Sequence, residues 1–172
     1  SFDIPGSKPY RPINYDGKFH GRIPLRYALA NSYNVPAVKV LNSIGVDNFV
    51  DHAREMGITT WNDSSRFGLS LTLGGGEVKM VDMARSFGVF ANQGLRQDLS
   101  PIIDVKNSSG DVIFERSNYS KRVLDPGVSF IVSDILSDNT ARSYAFGRGS
   151  SLEIPGYKVA VKTGTTDDKK DN

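Results

Sequence analysis

Lys162-Thr163-Gly164-Thr165-Thr166 places one cation, one bare stretch of backbone and three hydroxyls within five residues, directly after the alternating run Tyr157-Lys158-Val159-Ala160-Val161. That alternation predicts a β-strand over 157–166. An ammonium beside hydroxyls on an extended edge can hold an anionic peptide end, and Gly164 lets a ligand approach the main chain closely. Far upstream, Ser32-Tyr33-Asn34 sets a hydroxyl and a carboxamide two residues apart. The two clusters read as two walls of one cleft.

Taken alone, neither cluster is specific. A lysine at a strand end is usually a solvated charge, and Ser32 or Asn34 suits the N-cap of a helix beginning at Pro36. The Asp-Lys-Thr-Gly-Thr phosphorylation motif of ion-pumping ATPases is excluded, because Val161 stands where the phosphate-accepting Asp must be. Gly74-Gly75-Gly76 lacks a following Gly-Lys-Ser/Thr and a placed ribose-binding acid, so a tight turn is expected there. His20 and His52 have no metal-ligand neighbours, so no metal and no other cofactor is expected. Asp167-Asp168 beside Lys169-Lys170 reads as a solvated charge run.

The elements that must position these residues are mostly helical. Leu25, Ala28 and Leu29 suggest a short helix ending near Asn31, and Ser32 to Asn34 then form a turn. A second helix starts around Pro36, with Val40, Leu41 and Ile44 as its apolar face and Gly45 as its stop. Asp47 can cap a third, carrying Phe49, Val50, Ala53 and Met56 inward and ending at Gly57. Gly74-Gly75-Gly76 leads into a long amphipathic helix with Val78, Val81, Ala84, Phe87 and Ala91 inward. Residues 101–106 and 111–116 alternate around Asn107-Ser108-Ser109-Gly110 and predict one hairpin. Asp125-Pro126 starts a helix with Val128, Ile131, Val132, Ile135 and Leu136 on one face, and residues 138–156 read as loop.

Composition bounds the rest. The 172 residues fit one domain with its own core, and the 21 basic and 19 acidic side chains are scattered, leaving no electrostatic footprint for nucleic acid. Cys is absent, which excludes a disulfide framework, thiolate metal sites and a Cys nucleophile. Neither a signal peptide nor a run of about 20 apolar residues is present, so the chain as given is expected to be soluble. It begins without Met and stops soon after its most informative motif, which suggests a piece of a longer protein.

The combination of Ser-x-Asn before a Pro-Ala helix start with Lys-Thr-Gly-Thr-Thr about 130 residues later is far more specific than either part. On it the chain resembles the transpeptidase domain of bifunctional (class A) penicillin-binding proteins over almost its whole length. The stretches that carry the likeness are 10–17 (Tyr10 to Gly17), 25–29, 32–38, 71–75, 122–126 and 161–166. The superfamily's third motif, Ser-x-x-Lys with the nucleophile, is absent, for no Lys has a Ser three places before it.

The resemblance implies an α/β, penicillin-binding-protein/β-lactamase-like transpeptidase fold. Residues 1–172 would form one incomplete domain, comprising the helical part, one hairpin and the Lys-Thr-Gly strand as an inner partner of a central antiparallel sheet. It implies a parent D,D-transpeptidase of peptidoglycan biosynthesis that acts through a serine acyl-enzyme on D-Ala-D-Ala stem peptides and is acylated by β-lactams. Ser32, Asn34 and Lys162 would be catalytic, and Thr163, Gly164, Thr165 and Thr166 would bind substrate. The parent would carry a glycosyltransferase domain and a membrane anchor and work on the extracytoplasmic face of the cell membrane. A D,D-carboxypeptidase or β-lactamase-like hydrolase shares the motifs, as does a relative that binds peptidoglycan peptides or β-lactams without turnover; an upstream Ser-x-x-Lys separates that binder from an enzyme.

Overall fold

Two glycines decide where the early helices stop. The computed structural model describes residues 1–2, 9–117 and 119–164. Helix α1 spans Leu25–Ala30, α2 Asn34–Ile44 and α3 Val46–Met56. Gly45, at φ +86°, breaks α2 from α3, and Gly57, at φ +116°, closes α3 in the left-handed conformation that glycine adopts without steric cost. The predicted Asp47 cap is not made. Gly45 is the N-cap, and Asp47 lies in the first turn, where a carboxylate still meets the positive end of the helix.

Leu41 of α2 and Val50 of α3 form a buried cluster with Ile58, Trp61 and Leu71. Phe49 and Phe67 flank the Trp61 ring at centroid distances of 5.9 and 5.8 Å, while its Nε1 donates to the Glu77 carbonyl at 3.1 Å. Burial of the large ring is thus matched by a partner for its one polar atom. On α2 the buried face is Val38 and Leu41; Val40 and Ile44, expected inward, are exposed. Two 3₁₀ turns, Ser64–Arg66 and Leu69–Leu73, carry the chain towards α4, Met80–Ala91.

Helix α4 corrects a phase read from hydrophobicity. Val81, Ala84, Phe87 and Ala91 lie outward, and the buried positions are Asp82, Ser86 and Val89. The reason is hydrogen bonding. Asp82 Oδ2 accepts from Thr59 N at 2.9 Å and Thr59 Oγ1 at 2.5 Å, and Ser86 Oγ donates to the Met56 carbonyl. Polar groups on α4 satisfy the backbone that leaves α3, so the polar face turns inward. The Thr59 bonds hold the Asp82 carboxyl below its ordinary range against the opposing effect of burial.

The hairpin forms as predicted, with β2 (Asp104–Lys106) antiparallel to β3 (Val112–Glu115) and Asn107 Oδ1 accepting from Ser109 and Asp111 N–H in the turn. A second antiparallel pair, β1 (Leu95–Gln97) with β4 (Ser120–Arg122), joins segments too distant for a local turn signal. Gly94 starts it at φ +88°, its carbonyl accepting from Val123 and Leu124 N–H; a Cβ there would lie 2.0 Å from the Leu124 carbonyl oxygen. The strand expected over 157–166 is not formed within 157–164, and 165–166 lie outside the described residues. A strand needs a ladder partner, and among the described residues none pairs with this run, nor do they build a central sheet.

Asp125 caps helix α5, Pro126–Leu136, by accepting from Gly127 and Val128 N–H, with Pro126 at its first turn. Ser129, Ile135 and Leu136 are its buried residues; Val128 and Ile131, assigned inward, are exposed beside Phe130. Residues 138–156 are not all loop. Asp138 caps α6, Asn139–Phe146, by accepting from Ala141 N–H, and Gly147 ends it. Buried Asn31 binds α6 to the end of α1, donating from Nδ2 to the Tyr27 and Ala141 carbonyls and accepting at Oδ1 from Ala145 N–H. Asn31→Ala removes three buried hydrogen bonds that join α1 to α6, and urea denaturation of the domain is expected to show a loss of about 1–3 kcal/mol. A loss under about 0.5 kcal/mol would mean that these bonds do not support the helix pair.

Candidate active site

Helix α1 ends in a Schellman arrangement, and that ending is what presents Ser32. Ser32 N–H donates to the Leu29 carbonyl and Tyr33 N–H to the Ala28 carbonyl, both at 3.1 Å. The geometry requires a left-handed residue at position 32, normally glycine, and Ser32 occupies it at φ +55°. A non-glycine residue there costs about 1–2 kcal/mol. The hydroxyl is therefore held at a bend by a backbone that opposes it.

The terminal segment reaches the same place from α5. Val161 N–H donates to the Leu136 carbonyl at 3.0 Å, the acceptor that buried Arg142 also binds, and Lys158 Nζ lies 3.5 Å from Asp134 Oδ1. Asp134 and Asp138 also hold Arg26 of α1, at 2.8 and 3.0 Å. The hydrogen bond from Arg26 lowers the Asp134 carboxyl from its ordinary value, with the Lys158 charge adding to it, and Asp134 in turn raises Arg26. Both walls of the cleft thus rest on one carboxylate.

The result is contact across 130 residues of sequence: Lys162 Nζ donates to Ser32 Oγ at 2.7 Å. A second bond runs from Nζ to the Thr163 carbonyl at 2.6 Å. Lys162 makes no ion pair among the described residues, and burial pushes its pKa below the ordinary lysine value. A partly buried amine hydrogen-bonded to a hydroxyl and easier to deprotonate than usual can exchange a proton with that hydroxyl.

The expected capping of α2 by Ser32 or Asn34 is not made. Tyr33 is the N-cap and contributes no side-chain bond, while Asn34 sits in the first turn and donates from Nδ2 to the Ile13 carbonyl at 2.9 Å. This bond fixes the carboxamide and leaves its oxygen and second N–H for a ligand. Thr163 is half-buried, and the space a Cβ would enter at Gly164 is open to 4 Å. Thr165 and Thr166 lie outside the described residues.

Ser32, Asn34 and Lys162 form the polar edge of a cavity of about 260 Å³ whose other walls include Leu25, Leu29, Ala37 and Val40. A largely apolar pocket with a few convergent polar groups is the usual form of a small-molecule site. Thr72 and Leu73 complete the lining, a role that sequence reading did not assign. Their position just before Gly74, which closes the 3₁₀ turn at φ +97°, was the available signal.

The comparisons with known proteins agree in one direction. Residues 1–172 match the penicillin binding protein transpeptidase domain. Penicillin-binding protein 1A of Clostridium acetobutylicum is 32% identical over 165 residues, covering 94% of this chain and 20% of that protein. Penicillin-binding protein 2a of Streptococcus pneumoniae is 33% identical over 159 residues, covering 92% and 21%. The chain spans about a fifth of the length of these curated relatives. Among solved structures, an imipenem acyl-enzyme complex of penicillin-binding protein A from M. tuberculosis superposes with a TM-score of 0.72 at 22% identity, over 96% of this chain and 42% of that one. Penicillin-binding protein 1A of Haemophilus influenzae gives 0.67 at 22%, over 81% and 25%. With the helical layer, the hairpin and the joined motifs in place, this chain belongs to the transpeptidase domain family of the penicillin-binding proteins.

Proposed function

We propose that this chain supplies two of the three motif-bearing walls of a serine D,D-transpeptidase, and that the intact protein cross-links peptidoglycan stem peptides outside the cytoplasmic membrane. The observation that carries the reading is the Lys162 Nζ–Ser32 Oγ bond of 2.7 Å. The nucleophile belongs to a Ser-x-x-Lys element elsewhere in the intact protein, for this chain contains none. Its oxygen bonds to the penultimate D-Ala carbonyl carbon, the C–N bond to the terminal D-Ala breaks, and the nucleophile's proton passes to the leaving amine through Ser32. An amine of a neighbouring strand then bonds to the acyl carbon, the C–O bond to the serine breaks, and the amine's proton returns to the serine oxygen.

Lys162 polarises Ser32 and makes the cleft electropositive, and Asn34 holds the peptide amide with the carboxamide oxygen left free by Ile13. Thr163 and Thr165 bind the terminal carboxylate through charge-assisted hydrogen bonds beside the ammonium, and Thr166 is a further substrate-binding hydroxyl. The Thr165 N–H gives half of the oxyanion hole, a donor typically worth about 3 kcal/mol in the transition state. Gly164 leaves its own stretch of main chain open to a ligand. A β-lactam enters as a mimic of the D-Ala-D-Ala end and stays as an acyl-enzyme. The parent carries a glycosyltransferase domain and a membrane anchor in this reading; no helix among the described residues of this chain is long and apolar enough to cross a membrane.

Incubated alone with a fluorescent penicillin, this chain is expected to form no covalent adduct; stoichiometric labelling would place the nucleophile within it. In the intact protein, Lys162→Ala is expected to slow acylation about 10²–10⁴-fold in stopped flow with the fold retained. An unchanged rate refutes the role of the lysine. The lowered Lys162 pKa also has a sign that can be measured. Between the depressed and the ordinary lysine value the folded chain holds fewer protons than the unfolded one, so stability contributed at this residue rises with pH through that window. Wild type should therefore gain on Lys162→Met in urea denaturation as pH climbs towards the ordinary lysine value of about 10.4. A difference independent of pH would show that burial does not perturb this amine.

A further inference from the structure

We propose that the segment 13–20 is a positioning device for the Ser32-Tyr33-Asn34 bend, with Asn14 as its central positioning residue. This rests on the functional reading above. Three separate contacts join the segment to three consecutive residues of the bend and the helix it starts. The Ile13 carbonyl accepts from Asn34 Nδ2 at 2.9 Å. Asn14 Oδ1 accepts from Val35 N–H at 3.0 Å. The His20 ring stacks on Tyr33 with centroids 4.3 Å apart and planes at 19°.

The segment is itself tied into a closed loop. Asn14 is 4% exposed, and its Nδ2 donates to the Lys18 carbonyl at 2.7 Å. Gly17, at φ +69°, donates its N–H to the Asn14 carbonyl at 2.9 Å. Asp16 accepts from Lys18 N–H at 3.0 Å and pairs with His20 Nε2 at 2.8 Å. Asn14 thus uses both ends of its carboxamide, one to shape its own loop and the other to hold the first turn of α2. The N-terminal N–H groups of a helix have no intrahelical acceptor, and with no side-chain cap from Tyr33 this outside carboxamide fills part of that need.

The consequence reaches the reacting groups. The Ile13 bond takes one N–H of Asn34 and so fixes the direction in which the carboxamide oxygen points. Asn14 fixes where α2 begins, and the Tyr33–His20 stack holds the residue between Ser32 and Asn34. Without the clamp, Ser32 in its strained left-handed conformation can relax and move away from Lys162.

The test uses the intact parent protein, a fluorescent penicillin as probe, and acylation rates normalised to the folded fraction. Asn14→Leu, of similar size without hydrogen bonds, is expected to lower the acylation rate constant about ten- to a hundredfold. Asn14→Asp keeps the acceptor for Val35 N–H and should recover several-fold of that loss. In an Asn34→Ala background the loss from Asn14→Leu should be smaller, because the part that acts through the Asn34 carboxamide is gone and only the part through Ser32 remains. Equal losses in both backgrounds, or an Asn14→Leu protein as fast as wild type, overturn the proposal. If Asn14→Leu does not fold, His20→Ala carries the test, with a severalfold slower acylation expected and an unchanged rate overturning it. A wild-type protein that takes no penicillin would instead remove the functional reading, and this proposal with it.

Discussion

A partly buried ammonium that meets no carboxylate among the described residues must find neutral acceptors there, and the site is organised around how Lys162 does so. Its two bonds go to Ser32 Oγ and the Thr163 carbonyl. An ion pair would have held the charge more firmly and kept the lysine protonated. Among the described residues only dipoles surround it, so the proton is less tightly held, and the hydroxyl it touches can relay a proton, accepting one from Nζ as it gives up its own. The price in stability is the desolvation that lowers its pKa.

That contact survives only if two distant segments keep their positions, and Asp134 is where their supports meet. Arg26 brings α1 to it, and Lys158 brings the terminal segment. Asn31, which ties the end of α1 to α6, and the Leu136 carbonyl under Val161 add connections through backbone groups. The surface ion pairs add little individually. Their use is geometric, since each shares a partner or a helix with a backbone bond that aims in the same direction.

Ser32 and Lys162 could be paired from sequence because each belongs to a short pattern whose chemistry makes sense only beside the other. Local punctuation was equally readable: Gly45, Gly57, Asp125-Pro126 and the Asn107–Gly110 turn all act as their residue types dictate. What failed had a tertiary cause. Helix α4 turns Asp82 and Ser86 inward because Thr59 and Met56 need partners, which no periodicity of apolar residues can reveal. Helix α6 is short and only weakly amphipathic, and its hold on Asn31 is long-range. The alternation at 157–161 was real, yet alternation only offers an edge and cannot supply the neighbour that makes it a strand. The left-handed Ser32 was also invisible, since nothing in its side chain announces a glycine conformation.

Helix α1 has only six residues, anchored near its start by Arg26 and released at its end into Ser32. One residue more or fewer would rotate everything beyond it by about 100° and shift it by about 1.5 Å. Either the guanidinium would leave its two aspartates or the hydroxyl would swing away from the amine. The length of this helix is therefore a ruler set by both ends, and insertions harmless in the Asn107–Gly110 turn would be intolerable here.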